Sequence, residues 1–91
     1  MMYFYDDSEV QKLLTQHLRN RRREKRFSRA ALAERSLVPA STIRKFENTG
    51  QISLRQFLAL WLVLDDMEKL VALTQKSPTM PKTIDEVLKD E

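Results

Sequence analysis

Residues 28–50 read SRAALAERSLVPASTIRKFENTG, and the fold is decided there. Ser28 is placed as an N-cap, its hydroxyl able to accept from the free amides of a first helical turn. Leu32 and Ala33 point inward from the helix that follows, and the small Ala33 lets another helix approach closely. Ser36-Leu37-Val38-Pro39 supplies a turn, and Pro39 suits the start of a next helix because its missing N–H costs little there. Ile43 and Phe46 are the inward residues of that helix, and Thr49-Gly50 ends it, glycine accepting a left-handed backbone without penalty. The pattern predicts two short helices joined by a tight turn, the second carrying Arg44 and Lys45 outward. A short basic helix held clear of the body by a partner helix fits a DNA major groove.

Upstream, Tyr3, Phe4 and Tyr5 form an aromatic arm ending at Asp6-Asp7-Ser8, a cluster of N-cap residues. Val10, Leu13, Leu14, His17 and Leu18 then recur at three- and four-residue steps, one apolar face of a first helix. His17 lies on that stripe and reads as a core-edge residue, not as a ligand. The helix is expected to run on through Arg19, Arg21, Arg22, Arg23, Lys25 and Arg26, with Phe27 plugging the joint to the next.

Downstream, Ser53-x-x-Gln56 is a capping box opening a fourth helix. From Leu54 to Leu64 only Arg55 and Gln56 are polar, more apolar surface than one helical stripe absorbs. Phe57, Leu58, Leu60, Trp61 and Leu64 are assigned to the core, and Leu62 and Val63 to surplus exposure awaiting a symmetry mate, a partner, or cover from the last helix. A short fifth helix (Met67, Leu70, Val71, with Leu73 near its end) precedes a break at Ser77-Pro78 and Pro81. The tail TIDEVLKDE is acidic and would be marginal as an isolated helix. The expected division is an arm over residues 1–8, a helix-turn-helix domain over 9–76 and an acidic tail over 77–91.

Ninety-one residues make one small domain, burying about 60% of the surface its unfolded chain exposes. No apolar run approaches the roughly 18 residues of a membrane span, and MMYFYDDSEV lacks the basic and apolar regions of a signal peptide. Cysteine is absent, so disulfides and thiolate metal sites are excluded, which fits a reducing cytoplasmic setting. The single glycine, Gly50, excludes a glycine-rich phosphate cradle. With one histidine, nucleophilic and metal-dependent chemistry lacks its usual parts, so neither an enzyme nor a cofactor is expected. Net charge is +3, but the segment from Arg19 to Arg55 holds 11 Lys/Arg against 3 Asp/Glu, and the remainder 5 against 10. A basic middle between acidic ends is the footprint of a phosphate-binding surface.

Leu32-Ala33-Glu34, Ser41-Thr42-Ile43, Glu47 and Ser53-Leu54, with the apolar fourth helix, resemble the Cro/C1-type (XRE) helix-turn-helix family of phage repressors and bacterial regulators. The wording RSLVPASTIRKFENTGQISL is similar, more narrowly, to HipB-type antitoxins, small regulators encoded beside HipA-like serine/threonine kinase toxins. The resemblance implies an all-α, five-helix, lambda-repressor-like domain. It implies a homodimer that binds a double-stranded DNA operator, represses its own promoter and also binds a HipA-like kinase toxin. It pairs Arg22 with Glu47 as an internal salt bridge. Three positions depart from the family pattern: Leu37 stands where glycine is usual, Ser36 where an apolar residue is common, and Pro39 where a hydroxyl cap is common.

In that geometry Ala40, Ser41 and Thr42 meet base edges and phosphates at the free N-terminus of the recognition helix. Ala40 suits a thymine methyl, and Ser41, Arg44 and Lys45 are the expected direct readers, arginine bidentately to guanine. Arg29, Ser28 and Asn48 are expected on phosphates, which fix register and carry little sequence information. Two alternatives stand beside this reading. One is a protein-interaction module that neutralises a toxin with little DNA binding, supported by Leu62, Val63 and the tail; the other is a stand-alone phage-type repressor.

Overall fold

The computed structural model describes residues 5–76, which contain five α-helices and no strand. The chain is all-α over this span, as its periodicity implies. The tail at 77–91 and all of the arm before Tyr5 lie outside the described residues.

The first helix, α1, is Asp7–Glu24. Its cap is Asp6, whose carboxylate accepts the Glu9 amide at 2.9 Å, so Asp7 and Ser8 fall inside the first turn. The helix thus begins within the stretch assigned to the arm. It also stops short of Arg26. Arg26 takes a left-handed backbone, φ 61°, while its amide reaches Arg23 O and the Phe27 amide reaches Arg22 O, each at 3.0 Å. That double bond pattern is a Schellman ending, here closed by an arginine in place of the usual glycine. Phe27 packs against the core as expected, and the Arg35 guanidinium sits 4.6 Å above its ring centre.

At 18 residues, α1 is about 27 Å long at 1.5 Å per residue, longer than any helix it packs against. Leu18 is buried and Leu14 packs on the core, whereas Val10 and Leu13, expected on the inward stripe, are exposed. The packed side of α1 runs through Leu14, Thr15, Leu18 and Arg22, with Gln11 in the same turns reaching Gly50 O at 2.7 Å. Val10 and Leu13 lie off that side and face outward.

Two short helices follow, α2 (Arg29–Ser36) and α3 (Ala40–Thr49), joined by residues 37–39. Ser28 caps α2, accepting the Ala31 amide at 3.0 Å. Leu37 ends it with φ 63° and ψ 20°, its amide bonded to Ala33 O at 2.8 Å. Leucine therefore adopts the conformation a glycine would take, with its side chain 88% exposed. Ser36 accepts the Val38 amide at 3.2 Å, a bond no apolar residue offers, and Val38 drops into the core. Gly50 closes α3 at φ 80°, and a Cβ there would meet Thr15 Oγ1 at 3.2 Å and the Gln11 side chain at 3.3 Å. Glycine suits the left-handed turn, and a side chain there would also press on the Thr15 and Gln11 side chains of α1.

In α4 (Leu54–Leu64) the Ser53 hydroxyl accepts the Gln56 amide at 3.1 Å. The Gln56 side chain meets that hydroxyl and not the Ser53 amide, so half of the expected capping box forms. Leu60, Trp61 and Leu64 join Leu18, Leu32, Val38, Ile43 and Phe46 in one core. Phe57 only packs against it, edge-on to Phe46 at 6.1 Å, and Leu58 is half-buried. The short α5 (Met67–Val71) continues into a 3-10 turn at Ala72–Thr74. Among the described residues no helix is long and apolar enough to cross a membrane.

Leu37 provides a direct test of the turn. A left-handed non-glycine residue costs roughly 1–2 kcal/mol, more than the unfolded-state entropy that glycine adds. Leu37→Gly is therefore expected to raise the melting temperature, by a gain of up to about 1 kcal/mol. A lower melting temperature would mean that the leucine side chain makes a contact its exposure denies.

Candidate nucleic-acid interface

The placement of α3 depends on a buried ion cluster. Arg22 donates to Glu47 twice, Nε to Oε2 at 2.7 Å and Nη2 to Oε1 at 3.1 Å. Its remaining nitrogen, Nη1, donates to Phe27 O at 2.9 Å. Arg29 Nε adds a third bond to Glu47, to Oε1 at 2.9 Å. The Arg22 and Glu47 side chains retain 10% and 3% of their exposure, so α1, the α1–α2 joint, α2 and α3 meet at one carboxylate out of water. Burial pushes the Glu47 carboxyl up, but the hydrogen bonds from Arg22 and Arg29 prevail and hold it below its ordinary value of 4.5.

With Ile43, Phe46 and Glu47 turned inward, the opposite side of α3 is free. Ser41, Arg44, Lys45 and Asn48, spaced at three- and four-residue steps, are all exposed and share one face. Ala40 is exposed beside them and Thr42 is half-buried at the edge. Neither Arg44 nor Lys45 has a carboxylate partner among the described residues. Pro39 offers no side-chain cap, and its carbonyl takes the Thr42 and Ile43 amides at 3.0 Å. The amides of Ala40 and Ser41 are left without an intramolecular acceptor among the described residues. A helix start with free amides and flanking cations attracts anions.

Two residues expected on phosphates have prior engagements. Arg29 spends its Nε on Glu47 and keeps only its terminal nitrogens for anything else. It is bound into the cluster because α2 starts directly over the Glu47 carboxylate, a tertiary proximity that its sequence position does not reveal. The Ser28 oxygen accepts the Ala31 amide as the cap of α2, which leaves its O–H free to donate.

Sequence reasoning passed over Arg55 and Gln51. Arg55 is exposed in the first turn of α4. Gln51, with Ser41, Thr42, Lys45, Ile52 and Gln56, lines a shallow cleft of about 390 Å³ beside α3. The Ser53-x-x-Gln56 signal that located the start of α4 also locates these residues, because a capped helix end is itself a polar surface.

A second ion cluster joins α1 to the α4–α5 joint. The Asp65 carboxylate is nearly buried and receives Lys69 Nζ at 2.9 Å and the ring nitrogen of His17. Arg21 Nε donates nearby to Leu64 O at 2.9 Å. The bonds from Lys69 and His17 hold the Asp65 carboxyl far below its ordinary value of 3.8. His17 also faces Trp61, ring centres 5.3 Å apart, which makes it a core-edge residue.

On the opposite flank Leu62 is 65% exposed. Val63 was expected to share that exposure but is half-buried against the core. A step of about 100° around α4 turns it back toward the domain. Leu54, Val71 and Leu73 are exposed as well. Among the described residues no group of three or more acidic, histidine or cysteine side chains is arranged to hold a metal ion.

Comparison with protein-family models, curated proteins and solved structures finds no match to this chain.

Two outcomes follow from the clusters. Arg22→Ala leaves the Glu47 carboxylate buried with Arg29 alone and is expected to cost about 3–5 kcal/mol, read as a fall in the urea midpoint. An unchanged midpoint would remove the cluster from its structural role. A carboxyl held below its ordinary value contributes stability that is complete above that value and is lost as pH falls through its folded value. With Glu47 and Asp65 both depressed, from 4.5 and 3.8, the urea midpoint should hold level near neutrality and decline progressively below pH 4.5. A midpoint that stays level down to about pH 3 would contradict this.

Proposed function

We propose that this protein is a sequence-specific DNA-binding regulator with a lambda-repressor-like helix-turn-helix, α2 and α3 being its two helices and α3 its recognition helix. The exposed face of α3 carries the reading. It presents Ser41, Arg44, Lys45 and Asn48 together, free of intramolecular ion pairs, beside the unbonded amides of Ala40 and Ser41. Such a face meets the two needs of a major-groove element. Long donors reach base edges, and the helix start and polar flanks reach phosphates.

In this reading Arg44 and Lys45 address guanine O6 and N7, Ser41 a base or phosphate, and Ala40 a thymine methyl. Asn48, Arg55, Gln51 and the outer nitrogens of Arg29 hold the backbone. The acting species is a homodimer placing one α3 in each half-site, about one helical turn apart. The resemblance to HipB-type antitoxins extends the proposal to autorepression in the cytoplasm and to a HipA-like kinase toxin as protein partner. A second reading, a toxin-neutralising interaction module with little DNA binding, is favoured by the exposed apolar side chains of Leu62, Val71 and Leu73.

DNA affinity measured against salt separates the two readings, using duplex from immediately upstream of the protein's own reading frame and a scrambled control. The regulator binds with a log K that falls linearly with log salt, and each phosphate contact removed lowers the slope by about 0.9. Arg44→Ala should cost about 1–3 kcal/mol on the preferred duplex and narrow its advantage over the control. Negligible affinity for both duplexes, indifferent to Arg44→Ala and Lys45→Ala, would leave the interaction module as the reading.

A further inference from the structure

We infer that the cleft between α1, from Ser8 to Arg19, and the C-terminal end of α3 is a phosphate site built on Arg19. Arg19 Nε is buried and has no hydrogen-bond partner among the described residues. A donor withdrawn from water without an acceptor is rare in folded proteins; of the Arg19 guanidinium nitrogens only Nε is sealed in this way, so the terminal nitrogens are the ones a ligand in the cleft meets. Arg19 lines the cleft, an open one of about 410 Å³, against a share of roughly 30 Å³ for one water in the liquid.

The groups around the cleft divide by what they are already doing. Gln11 donates to Gly50 O at 2.7 Å, the Thr15 hydroxyl to Gln11 O at 2.7 Å, and the Thr49 hydroxyl to Lys45 O at 2.7 Å. Glu47 lines the cleft as well, but its oxygens are taken by Arg22 and Arg29, so its charge is already matched by two guanidinium groups. What remains uncommitted among the described lining residues is Lys12, Gln16, Arg19 and Asn48. Lys12 and Arg19 are two turns apart on one side of α1. These are two cations and two amides, donors in excess, with no free carboxylate among them. A tetrahedral oxyanion with several acceptor oxygens matches that set, and a cationic ligand does not.

The position of Asn48 identifies the source of the phosphate. It lines this cleft and also stands on the α3 face with Ser41, Arg44 and Lys45. A DNA strand bordering the groove filled by α3 would run past Asn48 into the cleft, where Arg19 and Lys12 clamp its backbone. This assignment to DNA rests on the proposed function; the phosphate chemistry of the cleft does not.

Proton–nitrogen correlation spectra of the arginine Nε–H groups in the full chain read the site directly. Inorganic phosphate and duplex DNA are titrated separately, with salt-dependent DNA affinity measured for Arg19→Gln and Arg19→Lys. The expected result is a saturable downfield shift of the Arg19 Nε–H on DNA. Arg19→Gln should weaken all sequences equally and flatten the salt slope by about 0.9, while Arg19→Lys should restore the slope. A saturable shift with phosphate in a protein that binds no DNA would sustain the site for a free phosphorylated ligand while the proposed function falls. Normal DNA binding with an unmoved Arg19 resonance and an unaltered slope in Arg19→Gln would overturn the site and leave the proposed function standing. An Arg19 resonance unmoved by both titrants overturns it as well.

Discussion

One carboxylate organises this molecule. Glu47 sits on α3, and every bond it accepts comes from a different helix, two from Arg22 of α1 and one from Arg29 of α2. Arg22 extends the connection to the carbonyl of Phe27 in the α1–α2 joint. A buried ion pair adds little net stability over a well-packed apolar equivalent, because desolvation consumes most of the Coulomb gain. What it imposes is direction. Apolar contacts tolerate rotation of a helix about its axis, whereas a bidentate guanidinium–carboxylate pair does not. Holding Glu47 inward leaves one rotational setting for α3, and that setting turns Arg44 and Lys45 to solvent.

The Asp65 cluster does for the far end of the chain what Glu47 does for α3. α5 is only five residues long, too short to be stable by its own hydrogen bonds. Its attachment comes from Lys69 reaching back to Asp65, which His17 of α1 also engages, and from Met67 and Leu70 packing against the core. The two carboxylates are spaced so that α1 is tied to α3 in one place and to the α4–α5 joint in another. The first helix is the splint to which the others are fixed.

Much of this was legible in the chain. Helix punctuation was carried by Ser28, Pro39, Gly50 and Ser53, residues whose local chemistry acts within three or four positions. The core positions Leu18, Leu32, Ile43, Phe46, Leu60, Trp61 and Leu64 followed from helical spacing. What could not be read depended on distant neighbours. Val10 and Leu13 carry a helical period but lie off the side of α1 that packs, which Leu14, Thr15 and Leu18 form. Arg26 ends α1 in a backbone conformation that arginine does not advertise. Val63 is carried back against the core by the step of about 100° from Leu62 around α4. At the candidate site, the exposed α3 residues were readable because outwardness is a helical property. The capture of Arg29 by Glu47 and the unpartnered nitrogen of Arg19 were not, since each arises where separate helices converge.

The sole tryptophan has a practical consequence. Trp61 is buried, faces both His17 and Phe57, and donates its indole N–H to the Asp66 carbonyl at 2.8 Å. Nature has thus installed a single fluorophore at the hinge between the fourth and fifth helices. Its emission reports wetting of the core where that seam meets the first helix, while circular dichroism follows helix content throughout. Coincidence or divergence of the two signals during denaturation distinguishes a cooperative unit from a molecule that sheds its last helix first.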